Sequence, residues 1–147
     1  MPDGLQDPRV PGLAPPELLV VAALRAWMVP RRGVQDWQGI LASAGILPAG
    51  ALGFELLMSV VSRSAQRRLD VRHGEGTGLG RDEAVLLDLV AALQRGDVLS
   101  AIGGLSEWLA PDQLAAALRG ARIFARHATA AGLKLRDAAG PTRIHLH

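Results

Sequence analysis

The sequence predicts an all-α fold, a compact bundle of five or six helices, and three observations lead there. Leu, Ala, Val and Ile dominate the apolar residues, Trp27, Trp37, Trp108, Phe54 and Phe124 are the only aromatics, and tyrosine is absent. Ala and Leu favour helix, whereas strands draw on β-branched and aromatic residues. Apolar positions recur at helical spacings in segment after segment. Prolines and glycines fall mostly where helices begin and end.

A chain of 147 residues, 49% apolar and 20% charged, has the size of one domain and can bury a substantial core. Residues 1–14 hold Pro2, Pro8 and Pro11 with Asp3 and Asp7 and no apolar run. They read as a flexible arm, not a signal peptide. Residues 15–132 are expected to form the helical domain, and residues 133–147 a flexible, frayed basic tail.

Pro15 and Pro16 open the first helix, where a missing N–H costs nothing, and Glu17 complements the dipole of its first turn. It should run to about Val29 and stop at Pro30. Its stretch from Leu18 to Leu24 is apolar all round, which predicts a central position. A second helix is expected from Val34 to Ala44, with Val34, Trp37, Ile40 and Leu41 inward and Gly45 as the left-handed residue after its end. Pro48 opens the third, carrying Leu52, Phe54, Leu56, Leu57, Met58, Val60 and Val61 to about Ala65. Arg63, Arg67 and Arg68 gather at its C-terminal end.

The stretch from Gly39 to Val61 holds one charge, Glu55, and is long enough to cross a bilayer. Pro48 beside Gly45 and Gly50 splits it, so two buried helices are the better reading and no membrane span is expected. Residues 69–80 form the main irregular segment, in which Leu69 and Val71 could pack on the core as a short extended piece. The fourth helix starts near Arg81, with Val85, Leu86, Leu89, Val90 and Leu93 inward. Asp97 caps the fifth, whose stripe runs Val98, Ala101, Ile102, Leu105, Trp108, Leu109. Gly103 and Gly104 inside it suggest a close helix crossing. Trp108 is expected in the core, its indole N–H finding a backbone partner. Pro111 and Asp112 open the sixth helix, which fades near Gly132.

The absence of cysteine removes disulfides, thiolate metal sites and cysteine nucleophiles, and fits a cytoplasmic protein. Many arginines beside one lysine, with abundant Ala and Gly, suit a GC-rich bacterial genome. No nucleophile–base–acid constellation is visible: none of the serines sits in a nucleophile elbow, and His73 near Asp70 and Glu75 is the sole local acid–base grouping. His145 and His147 lack companion ligands at metal-site spacing. No enzyme activity, cofactor or metal is expected.

Two features remain. Gly74, Gly76, Gly78 and Gly80 precede a helix N-terminus, a place where phosphates bind. The spacing matches no phosphate-binding fingerprint, and Glu75, Asp82 and Glu83 would repel an anion, so a linker is the plainer reading. Arg119, Arg122 and Arg126 fall on one side of the sixth helix, away from Leu114, Leu118 and Phe124, and begin a basic end with Lys134, Arg136 and Arg143. They could hold an anion or partner, or form an ordinary solvated face, partly neutralised by Asp88, Glu107 or Asp112. The arginines come too late in the helix to read bases as a recognition helix does.

The expected function is that of a non-catalytic helical module for protein–protein interaction. It self-associates, most simply as a homodimer, because the first and third helices carry more apolar surface than so small a bundle can bury. The alternative is a regulator binding nucleic acid or another polyanion through the basic face of the sixth helix.

Overall fold

The computed structural model describes residues 13–30, 32–33, 35–72 and 78–136. Among these the chain is all helical, without strands, and compact: α1 (Pro15–Met28), α2 (Trp37–Ser43), α3 (Pro48–Ser64), α4 (Arg81–Gln94), α5 (Val98–Ser106) and α6 (Leu114–Ala130), with a single 3-10 turn at Pro111–Gln113 before α6. No helix among the described residues is long and apolar enough to cross a membrane. The apolar stretch from Gly39 to Val61 divides into α2 and α3 where the proline and glycines stand.

Local chemistry explains the boundaries. Proline occupies the first turn of α1 and of α3. Asp36 starts α2, its side chain accepting from Gly39 N at 2.7 Å, so the helix begins later than the expected Val34, which lies outside the described residues. Gly45 follows α2 at φ +91°, the left-handed conformation foreseen for it. Asp97 caps α5 through Ser100 N at 3.1 Å.

α4, rather than α1, supplies the middle of the bundle. It packs against α1, α5 and α6 and buries Leu86, Leu87, Leu89, Val90, Ala91 and Ala92. α1 buries Val20, Val21, Ala23 and Leu24 but leaves Ala22, Met28 and Val29 exposed. An unbroken apolar run therefore marked a helix with a wide buried stripe, not one enclosed on all sides. Val71 is buried in the core and Leu69 packs against that core, partly buried, as expected of an extended piece lying on it.

The closest helix crossing is at α3 and α6, while of the pair Gly103 and Gly104 only Gly104 faces a neighbouring helix, an added Cβ there lying 3.4 Å from the Leu89 Cβ of α4. A Cβ on Gly53 would lie 2.8 Å from Gly120 O, and a Cβ on Gly120 would lie 2.7 Å from both Gly53 O and Leu57 N. A Cβ on Gly103 would meet nothing within 4 Å. The missing side chains of Gly53 and Gly120, both buried, let the two backbones approach. Phe54 and Phe124 meet across this crossing at a centroid separation of 5.2 Å.

The packed unit also continues past residue 132, where the sequence places the start of a loose tail. Gln94 clasps the backbone there, donating to Leu133 O at 2.7 Å and accepting from Leu135 N at 2.8 Å. Arg136 N donates to Glu17 at 2.7 Å, and Leu135 is buried. A leucine seat and three hydrogen bonds hold a segment whose composition alone reads as solvated.

Candidate functional site

Three places could carry function: the carboxylates at the start of α4, the arginine face of α6, and the cleft between α2 and α3.

Asp82 and Glu83 are both fully buried in the first turn of α4. Asp82 receives both terminal nitrogens of Arg67 at 2.8 Å, the Trp108 indole N–H at 2.9 Å and the Asp70 backbone N–H at 2.6 Å. Glu83 receives Arg25 in a fork at 2.6 and 2.9 Å, Gly80 N at 2.7 Å and Arg72 N at 3.1 Å. Trp108 is thus buried as expected, but its N–H reaches a carboxylate rather than the backbone. Burial alone would raise the Asp82 pKa. The donors from Arg67, the Asp70 N–H and Trp108 more than offset it, and the carboxyl is held down at about 2. Carboxylates with their oxygens so fully engaged act as anchors: they tie the 66–72 segment, α1 and the end of α5 to α4.

The amides at this helix start are also occupied. Gly80 N donates to Glu83, Arg81 N to the Asp70 carboxylate at 2.8 Å, and Asp82 N to Asp70 O at 3.2 Å. Of the four glycines singled out in the sequence, Gly78 accepts from Arg25 at 3.0 Å and Gly80 is buried against Asp70. Gly74 and Gly76, with His73 and Glu75, lie outside the described residues. Asp82 and Glu83, which beside the glycines look like charges that repel an anion, are instead the buried ends of two arginine forks. A signal was present: each stands four residues before a buried leucine, Leu86 and Leu87, and so lies on the buried stripe.

The structure brings Arg119, Arg122 and Arg126 together on the exposed side of α6. Among the described residues no carboxylate pairs with any of them. Two of the acids expected to reach them engage other groups: Glu107 pairs with Arg81 at 3.1 Å and Arg67 at 3.9 Å, and Asp112 accepts from Gln113. Arg122 and Arg126 flank a groove of about 260 Å³ between α4 and α6, lined also by Leu93, Gln94, Ala125 and Thr129. Gln94 holds the 133–135 backbone, and Thr129 donates to Ala125 O at 3.0 Å, so the guanidiniums are its open polar groups.

On the opposite side of α3 from the α6 crossing, α2 and α3 enclose a pocket of about 350 Å³ lined by Trp37, Gln38, Ala42, Ile46, Pro48, Ala51, Leu52 and Glu55. Trp37 is fixed from behind, its ring 5.2 Å from that of Trp27 and 5.5 Å from that of Phe54. Trp27 is in turn held by its N–H to Ser62 at 3.0 Å. Leu52 at the pocket is 64% exposed, and Leu47, next to Pro48, is 61% exposed. Glu55 has no ion pair among the described residues. Nothing local in the chain marks this cleft, because it forms between two helices whose relative placement is tertiary.

No group of His, Asp and Glu that could hold a metal ion occurs among the described residues, and His145 and His147 lie outside them. The chain matches no protein-family model, no curated protein and no solved structure.

Proposed function

We propose that the protein is a helical interaction module that self-associates through the α2–α3 face, the first product being a dimer. The observation that carries this reading is the pairing of two largely exposed leucines, Leu47 and Leu52, with an apolar pocket beside a fixed tryptophan. Single exposed leucines are ordinary on protein surfaces, but a ledge of them around an apolar cleft marks an interface. Burying one such side chain contributes about 1.5–3 kcal/mol, a sizeable share of a weak association. Leu52 faces away from the bundle, so Leu52→Glu should leave folding intact and place a charge in the contact. Light scattering across a concentration series should show the parent's mass rising and the variant's fixed at that of the monomer. A parent that stays monomeric at high micromolar concentration removes this reading.

The unpaired arginine face favours a second reading, binding of nucleic acid or another polyanion. Arginine without a carboxylate partner keeps its fork for phosphate. Affinity for a short duplex would then fall steeply between low and moderate salt as counterions are released. It would also be lost in the triple Arg→Ala variant at positions 119, 122 and 126. Equal, feeble binding by parent and variant counts against it.

A further inference from the structure

The chain carries two unmatched surfaces of opposite character. Glu55 is a half-buried carboxylate in an apolar pocket, without a cation among the described residues. Arg119, Arg122 and Arg126 are exposed cations without an anion. Most other arginines with described contacts bind carboxylates: Arg25 to Glu83, Arg67 to Asp82, Arg72 to Asp70, Arg81 to Glu107 and Arg95 to Asp97.

We propose that the α2–α3 pocket accepts an arginine from the α6 face of a second copy of this chain, with Glu55 as its counter-charge and Trp37 as its aromatic wall. This rests on the self-association reading above and names its contact.

The chemistry of the walls suits arginine. Its aliphatic stem can lie along Ile46, Ala51 and Leu52 while the charged head stays at the polar end. A planar guanidinium stacks on an indole and meets a carboxylate with two parallel hydrogen bonds, which an ammonium cannot do. Shape is complementary as well as charge. The acceptor surface presents a pocket and a protruding leucine, Leu52. The donor surface presents protruding arginines and a groove floored by Leu93 and Ala125, a seat for that leucine. The charged groups on both faces, Glu55 on one and Arg119, Arg122 and Arg126 on the other, have no ion-pair partner among the described residues.

Donor and acceptor are different surfaces, so the contact is heterologous. Each dimer keeps one free pocket and one free arginine face, and mass should climb past the dimer as concentration rises.

A charge-exchange experiment tests this. Glu55→Arg sets arginine against arginine, and the triple Arg→Glu variant at 119, 122 and 126 sets glutamate against glutamate. Each alone should self-associate at least about tenfold more weakly than the parent, since a like-charge contact replaces an attractive one. Mixed in equal amounts they should associate again, because both contacts are then complementary. That rescue requires both variants to be folded, so misfolding cannot imitate it. Leu99→Glu, at an exposed leucine outside both surfaces, should behave as the parent. If the parent associates while the single variants do so equally well, or the mixture stays as weak as its components, the arginine assignment is overturned and the self-association reading stands. A parent monomeric throughout overturns both.

Discussion

Asp82→Ala is expected to cost about 3–5 kcal/mol of stability, the range for removing one member of a buried charge pair. A domain's whole margin is about 5–15 kcal/mol, so the variant should lose a large share of its stability. Arg67 is 38% exposed and water can re-solvate part of it, which limits that share. The Trp108 indole N–H, buried at 2% exposure, has no such recourse, and a buried donor left unpaired costs about 1–3 kcal/mol. The same contacts dictate a pH dependence. The folded carboxyl titrates at about 2, below the ordinary 3.8. Its contribution is therefore fully present above pH 3.8 and is lost as pH falls through about 2. A depression of that size is worth about 2 kcal/mol. Urea denaturation of the parent and Asp82→Asn should show a gap at pH 7 that narrows below pH 4. A gap of constant size would mean that Asp82 is not the ionised anchor described above.

Gly120→Ala is expected to cost about 2–3 kcal/mol, although alanine is the better helix former, because the added methyl overpacks the crossing. It would meet backbone atoms of α3 at 2.7 Å, and backbone cannot swing aside as a side chain can. The helices must part, and the Phe54–Phe124 contact loosens with them. Gly103→Ala should do the reverse. Its methyl meets nothing within 4 Å, so it should gain about 0.5–1 kcal/mol of helix propensity. Thermal unfolding of the two variants decides between them. Melting temperatures shifted in the same direction would mean that the crossing has been misplaced.

These two sites show how much was legible in advance. Helix number, type and approximate limits follow from local signals, namely Pro at first turns, Asp97 as a cap, Gly45 after α2 and the spacing of apolar residues, and local signals are what a sequence displays directly. Gly53 and Gly120 lie 67 positions apart, and nothing local distinguishes a glycine at a crossing from one facing solvent. Gly103 and Gly104 suggest a crossing because glycine inside a helix is costly, yet Gly104 meets α4 at ordinary contact distance and Gly103 meets nothing. Arg67 gathers with Arg63 and Arg68 at the end of α3 in the sequence, yet its fork crosses to Asp82, a choice made by packing. The arginine trio on α6 was legible because helical geometry alone brings those residues together. Its lack of acidic partners was not, since that depends on where Glu107 and Asp112 point. The α2–α3 pocket, on which the functional proposal stands, was wholly hidden, because its walls come from both sides of a turn.

The most direct test of that proposal is hydroxyl-radical footprinting of the unmodified chain at low and high protein concentration. Self-association through the α2–α3 face predicts that Trp37, Leu47 and Leu52 become protected as concentration rises. Leu99, 81% exposed on α5, should react equally throughout and serves as the internal reference. Unchanged reactivity of Trp37, Leu47 and Leu52 across a range in which the mass is seen to rise would contradict the account, because association would then use another surface.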